Sequence, residues 1–231
     1  MTIPTRTHIG NRNTSRIQAE AGTFSVAQGK VDHNWTQLWR LFTDWHFASR
    51  VVRKRLGLPV PIETEDRRVL EQIIFPFYRT DASIRSILFV GCDWYTRHYE
   101  RSFFTGTDYW TIEFAPEKRK FGARQHVVGP LESLATHFPA GTFDLILCNG
   151  VYGWGLDRRE QIESAFTQCH QTLRDGGHLM IGWDDIPARV PVPLEQIESL
   201  RRFQRFEFPP LQAWRYLTDT PYRHTYDFYR K

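Results

Sequence analysis

From Ser86 to Tyr229 the chain alternates short apolar runs with more polar, helix-like segments. "SILFVG", "YWTIEF", "QHVVG", "FDLILCN" and "HLMIGW" are the first five runs, each short enough for a buried strand. Parallel neighbours need crossover connections, so the alternation predicts an α/β sheet with helices on both faces. Beyond "GWDDIPARVPVP" the pattern predicts a helix over about 194–202 and strands at "RFEF" and "HTYDFY", with antiparallel pairing open at that end. The sum is a mostly parallel, seven-stranded sheet.

The clearest crossover begins at Asp157, where "DRRE" reads as a capping box. Ile162, Ala165, Phe166, Cys169 and Leu173 follow at helical spacing, and "RDGG" closes the helix. Upstream, "TEDRRVLEQIIFPFYRT" predicts a helix ended near Pro76. Trp35, Leu38, Phe42, Trp45, Val52 and Leu56 form one helical stripe, with Asp32 as N-cap and Gly57 and Pro59 as the stop. Residues 1 to about 30 are polar and read as a loosely ordered arm. Arm and helices together predict a lid over a substrate. The aromatic stripe equally suits packing on the sheet or a homodimer face.

Composition narrows the classes. With 231 residues and 41% apolar content the chain suits a soluble globular protein. No stretch approaches the roughly 18 apolar residues of a membrane span, and "MTIPTRTHIGNRNTSR" lacks a secretion signal's apolar core, so a cytoplasmic protein is expected. Cys92, Cys148 and Cys169 are odd in number and far apart, which predicts reduced thiols. The net charge of +4 is too small for a nucleic-acid footprint. Its tightest basic cluster, Arg50, Arg53, Lys54 and Arg55, reads as a helix C-terminus. Nine histidines show no metal-binding spacing and no nearby aspartate pattern, so no metal is expected. G-x-S-x-G and G-x-x-x-x-G-K-[ST] are both absent, against a serine hydrolase and a P-loop enzyme.

Open α/β sheets bind ligands at the carboxyl ends of their strands. Gly91, Cys92 and Asp93 follow the first run, and Glu113 ends the second, 22 residues beyond the glycine. An acidic residue at that interval is placed to accept hydrogen bonds from both ribose hydroxyls, which points to an adenosine ligand. The turn has one glycine where a pyrophosphate, lying hard on backbone N–H groups, requires several.

The order "ILFVGC", "TIEF", "VVGPLESL", "FDLILCNGVYGW", "LRDGGHLMIGW" resembles the class I S-adenosylmethionine-dependent methyltransferases over roughly residues 84–185. The resemblance implies a Rossmann-like fold with S-adenosyl-L-methionine as cofactor, in a domain over 81–231 preceded by an arm and helical cap over 1–80. It assigns the cofactor to Gly91, Cys92, Asp93 and Tyr95, to Glu113 and Phe114, to Leu131 and Glu132, and to Asn149 and Gly150. S-adenosylmethionine carries no phosphate, which accounts for the single glycine, and its sulfonium tolerates Asp93. Tyr152, Trp154 and Trp35 are the candidate substrate contacts, and Asp184 and Asp185 the candidate bases. A small-molecule methyl acceptor is expected. Transfer of another group, an RNA or protein acceptor, and a non-catalytic scaffold are the alternatives.

Overall fold

The computed structural model describes Val52, Arg53, Leu56 and residues 64–231. Val52, Arg53 and Leu56 are helical and exposed. The rest of the expected first helix, Trp35 included, and the polar arm lie outside the described residues.

Among the described residues eight strands form one sheet: β1 (Ser86–Val90), β2 (Asp108–Glu113), β3 (Gln125–Val128), β4 (Phe143–Asn149), β5 (Leu173–Asp184), β6 (Gln204–Arg205), β7 (Arg215–Leu217) and β8 (His224–Arg230). Their order is β3-β2-β1-β4-β5-β8-β6, with β7 also paired to β8. The first five strands are parallel and β8 runs antiparallel to β5. This is the mostly parallel sheet that the apolar runs predict, with one strand more among the described residues, in the Rossmann-like form that the resemblance implies. The expected "RFEF" strand is reduced to Gln204–Arg205: the Phe206 N–H still bonds Phe228 O at 3.0 Å, Phe208 then turns to bridge Ala213, and strand pairing to β8 resumes at Arg215–Leu217.

Helices α1 (Glu65–Val69) and α2 (Phe75–Thr80) precede the sheet, α3 (Tyr99–Phe103) joins β1 to β2, and α4 (Arg159–Thr172) joins β4 to β5. The two crossovers around β3 are three-ten segments, Pro116–Phe121 and Leu131–Thr136. Residues alternate between the two sheet faces, and both faces are covered, so the runs are continuously apolar. Leu88, Val90, Ile146, Cys148 and Ile181 pack with Ile162, Phe166 and Cys169 of α4. Ile87, Phe89, Leu145, Leu147 and Met180 face the other way, onto Leu70, Ile74, Phe75 and Tyr78.

Three local expectations are corrected. Pro76 does not end its helix: a π-helical turn over Leu70–Ile74 links α1 to α2, and its wider hydrogen-bonding pattern accommodates the missing proline N–H. Asp157 makes no capping box, since Arg158 is the N-cap and no side chain bonds there. Residues 194–202 form two three-ten turns, Leu194–Gln196 and Ser199–Arg202. The Glu163 carboxylate takes the Glu198 and Ser199 N–H groups at 2.9 and 2.8 Å, so no helical ladder runs through them. All three cysteines are free and buried. Among the described residues no helix is long and apolar enough to cross a membrane.

Candidate active site

The turn after β1 explains its own single glycine. Gly91 has φ +84°, and a Cβ there would lie 2.7 Å from Val151 Cγ2, so only glycine fits. Its N–H extends the ladder to Ile112 O at 2.9 Å. The next three N–H groups are all consumed by side chains. Cys92 donates to Glu113 Oε2 at 2.9 Å, Asp93 to Thr96 Oγ1 at 3.0 Å, and Trp94 to Asp93 Oδ1 at 2.7 Å. Pyrophosphate binding needs such groups free and aimed at the ligand, so this turn is built for a ligand of another kind.

Glu113 closes the arrangement from β2. It is 5% exposed, and its other oxygen takes the Ala115 N–H at 3.0 Å. An ionised carboxylate has about four acceptor positions, of which these two bonds use two. The remainder belong to a cavity of about 270 Å³ that Glu113 lines.

All ten residues assigned to a cofactor line that cavity, from Gly91 through Glu113 to Gly150, and Trp154 joins them. The chain brings them together from the ends of β1, β2, β3 and β4. Phe114 and Trp154 are exposed aromatic rings at its edge. Phe114 reaches so close to Gly155 that a Cβ there would sit 3.2 Å from the ring. Lys118 also lines the cavity and pairs with Asp93 at 3.2 Å, so the Asp93 charge is already opposed. Glu132 is held by Gln161 Nε2 at 2.9 Å, and the Arg67 guanidinium lies 4.1 Å from the Tyr95 ring centroid.

The other candidates sit elsewhere. Tyr152 is fully buried and its hydroxyl is bonded to the Val192 carbonyl and N–H, so it pins a loop to the core rather than touching a substrate. Asp185 is outside the cavity lining and pairs with Arg223 at 3.2 Å. Asp184 is likewise outside the lining; it is buried, with Oδ1 2.6 Å from His224 Nδ1 and Oδ2 accepting the Trp154 indole N–H at 3.0 Å. These bonds outweigh burial, which acts in the opposite direction, and hold the Asp184 carboxyl below the usual range. Both carboxylates are thus engaged by partners, Asp184 by His224 and Trp154 and Asp185 by Arg223.

Residues 88–181, from β1 to β5, match the family model described as a methyltransferase domain. Over that stretch, less than half of its length, the chain is similar to methyltransferase domains. Among solved structures it is similar to the N-methyltransferase NodS from Bradyrhizobium japonicum WM9 in complex with S-adenosyl-l-homocysteine. Identity is 16% and the TM-score 0.53, over 73% of this chain and 89% of that one. A TehB-like SAM-dependent methyltransferase from Corynebacterium glutamicum is similar at 18% identity and TM-score 0.51, over 86% and 96% of the two chains. At these identities the likeness establishes the fold. No curated protein matches the sequence.

The residue that sequence reasoning missed is His224. It opens β8 directly opposite Asp184 in the antiparallel register, and its Nε2 lies 3.2 Å from Asn149 Oδ1. No spacing rule reveals a pair 40 positions apart, but "WDD" ending one strand and "RHTYDFY" beginning its antiparallel neighbour contained the signal.

Proposed function

We propose that this methyltransferase moves the methyl group of S-adenosylmethionine onto a small organic acceptor. The observation that carries this reading is the buried Glu113 carboxylate, fixed by two backbone N–H groups with acceptor positions left for the cavity, beside a turn after β1 whose Cys92, Asp93 and Trp94 N–H groups are already bonded. A ribose with two hydroxyls suits that carboxylate. A pyrophosphate suits neither Glu113 nor Asp93.

When bound, the cofactor supplies an electrophilic methyl carbon on sulfur; the acceptor's lone pair forms the new bond as the carbon–sulfur bond breaks, leaving S-adenosylhomocysteine. The chain's own residues bind and orient. Glu113 holds the ribose, Leu131 and Phe114 flank the base, and Gly91 with Asp93 and Lys118 borders the amino-acid end. Asn149, Gly150 and Trp154 border the reacting end, where the protein aligns the acceptor and excludes water. No base is assigned, and methyl transfer from a sulfonium asks little acid–base help of the protein. A small acceptor is favoured by the aromatic rims of Phe114 and Trp154 and by the low net charge.

Calorimetry with S-adenosylhomocysteine tests the cofactor half, with a measurable heat expected. Mass analysis of small-molecule mixtures incubated with S-adenosylmethionine tests the other half. Products heavier by one methylene unit support methyl transfer, and products carrying an aminobutyl chain contradict it.

A further inference from the structure

Asn149 and His224 form a pair whose hydrogen bonding is constrained by proton count. Asp184 Oδ1 lies 2.6 Å from His224 Nδ1, and an ionised carboxylate only accepts, so Nδ1 carries a proton. On the other side Asn149 Oδ1 faces Nε2 at 3.2 Å, and that contact is a hydrogen bond only if Nε2 is protonated too. With Oδ1 turned to the ring, the amide therefore suits only a doubly protonated imidazole. Asn149 Nδ2 then makes no hydrogen bond among the described residues, and Asn149 lines the cavity. A neutral ring would instead set a lone pair on Nε2 against the lone pairs of Oδ1. Half a turn of the amide removes that repulsion by giving Nδ2–H to the ring and Oδ1 to the cavity.

The missing side chain at Gly182 is what admits the amide and the ring side by side. Asn149 lies beside Gly182, where a Cβ would stand 1.9 Å from Oδ1 and 3.0 Å from His224 Nε2. Gly182 pairs with Tyr226 in the β5–β8 register and Asp184 with His224. The groups around the ring are therefore specified. Asp184 faces it from β5, and Tyr226 on its own strand has its ring centroid at 4.9 Å. Arg189 and Tyr222 act on Asp184, and Asp66, on the helix packed over β8, acts on Tyr226. His224 itself is buried, so water is not a ready substitute for Asn149 as its partner.

We infer that His224 is a positioning residue whose protonation decides which half of the Asn149 amide the cavity sees. Protonated His224 makes Asn149 a donor to the cavity, and neutral His224 makes it an acceptor. The consequence for catalysis rests on the methyl-transfer reading. Nucleophiles that still carry hydrogen, such as amines and hydroxyls, are held by the Asn149 carbonyl, so the neutral ring favours them.

The test needs no acceptor. The chain has four asparagines, Asn11, Asn13, Asn34 and Asn149, so ¹⁵N-asparagine labelling gives few side-chain signals, and Asn149→Ser assigns the relevant pair. Their shifts are followed from about pH 5 to 9 beside the imidazole nitrogens of His224, in free protein and with S-adenosylhomocysteine. Expected is a shift of the Asn149 amide with the same midpoint as the His224 ring, abolished in His224→Gln. An Asn149 amide that stays still while His224 titrates overturns the inference, as does a His224 that keeps one charge state throughout. Wild-type protein alone decides between these, whatever the variants do to folding. The heat of S-adenosylhomocysteine binding, measured on the same samples, judges the cofactor reading separately.

Discussion

Glu113 Oε2 accepts the Cys92 backbone N–H at 2.9 Å, tying the end of β2 to the turn that leaves β1. The same carboxylate takes the Ala115 N–H, so one side chain organises two loops and one wall of the cavity. Hydrogen bonds to a charged group are worth about 1.5–3 kcal/mol each, so the pair is a large part of what fixes the rim.

Gly91→Ala tests the turn. Its φ of +84° disfavours any side chain, and the new Cβ would meet Val151 Cγ2 at 2.7 Å. A loss of roughly 2–3 kcal/mol in urea unfolding is expected, and adding Val151→Ala recovers only the steric part because the backbone strain remains. Full recovery in the double variant would show that conformation contributes nothing.

Tyr152→Phe separates core from site. The hydroxyl lies buried between the Val192 carbonyl and N–H, so its removal orphans both groups and costs about 1–3 kcal/mol. Affinity for S-adenosylhomocysteine should stay within about twofold of wild type, since Tyr152 does not line the cavity. A large loss of affinity with unchanged stability would return Tyr152 to the site.

His178 gives the fold a pH dependence of its own. Its ring lies 4.5 Å from Phe206 and 5.6 Å from Tyr78, and its Nδ1 is buried without a partner. Burial, helped by Arg230, lowers its pKa from 6.5 to about 4. The unfolded chain therefore binds the proton first, and stability falls as pH drops from 6.5 towards 4. Discounted for partial exposure, the loss attributable to His178 is on the order of 1–2 kcal/mol. His178→Phe should remove that share when urea midpoints at about pH 7 and 4.5 are compared. An unchanged slope in the variant would assign the loss to other groups.

The strands and the cavity were legible for a physical reason. A parallel strand covered on both faces must be apolar at every position, so runs such as "ILFV" announce themselves, and parallel strands deliver their carboxyl ends to one edge. That is why residues as far apart as Gly91 and Gly150 could be grouped before any coordinates. Roles that depend on side-chain direction or long-range register were not legible. Tyr152 follows the fourth strand as Trp154 does, yet one ring turns inward to Val192 and the other lies at the cavity rim. Asp184 was singled out, but its partner His224 is set by antiparallel register that local spacing does not encode. Pro76 misled because a π-helical turn absorbs it.

The most direct test of the cofactor assignment is a calorimetric titration of S-adenosylhomocysteine into wild type and Glu113→Gln. The glutamine sets an N–H donor where the carboxylate accepts from backbone, so affinity should fall about 10- to 100-fold in a variant whose circular dichroism stays native. No heat with wild type, or equal affinity in the two proteins, would contradict the account.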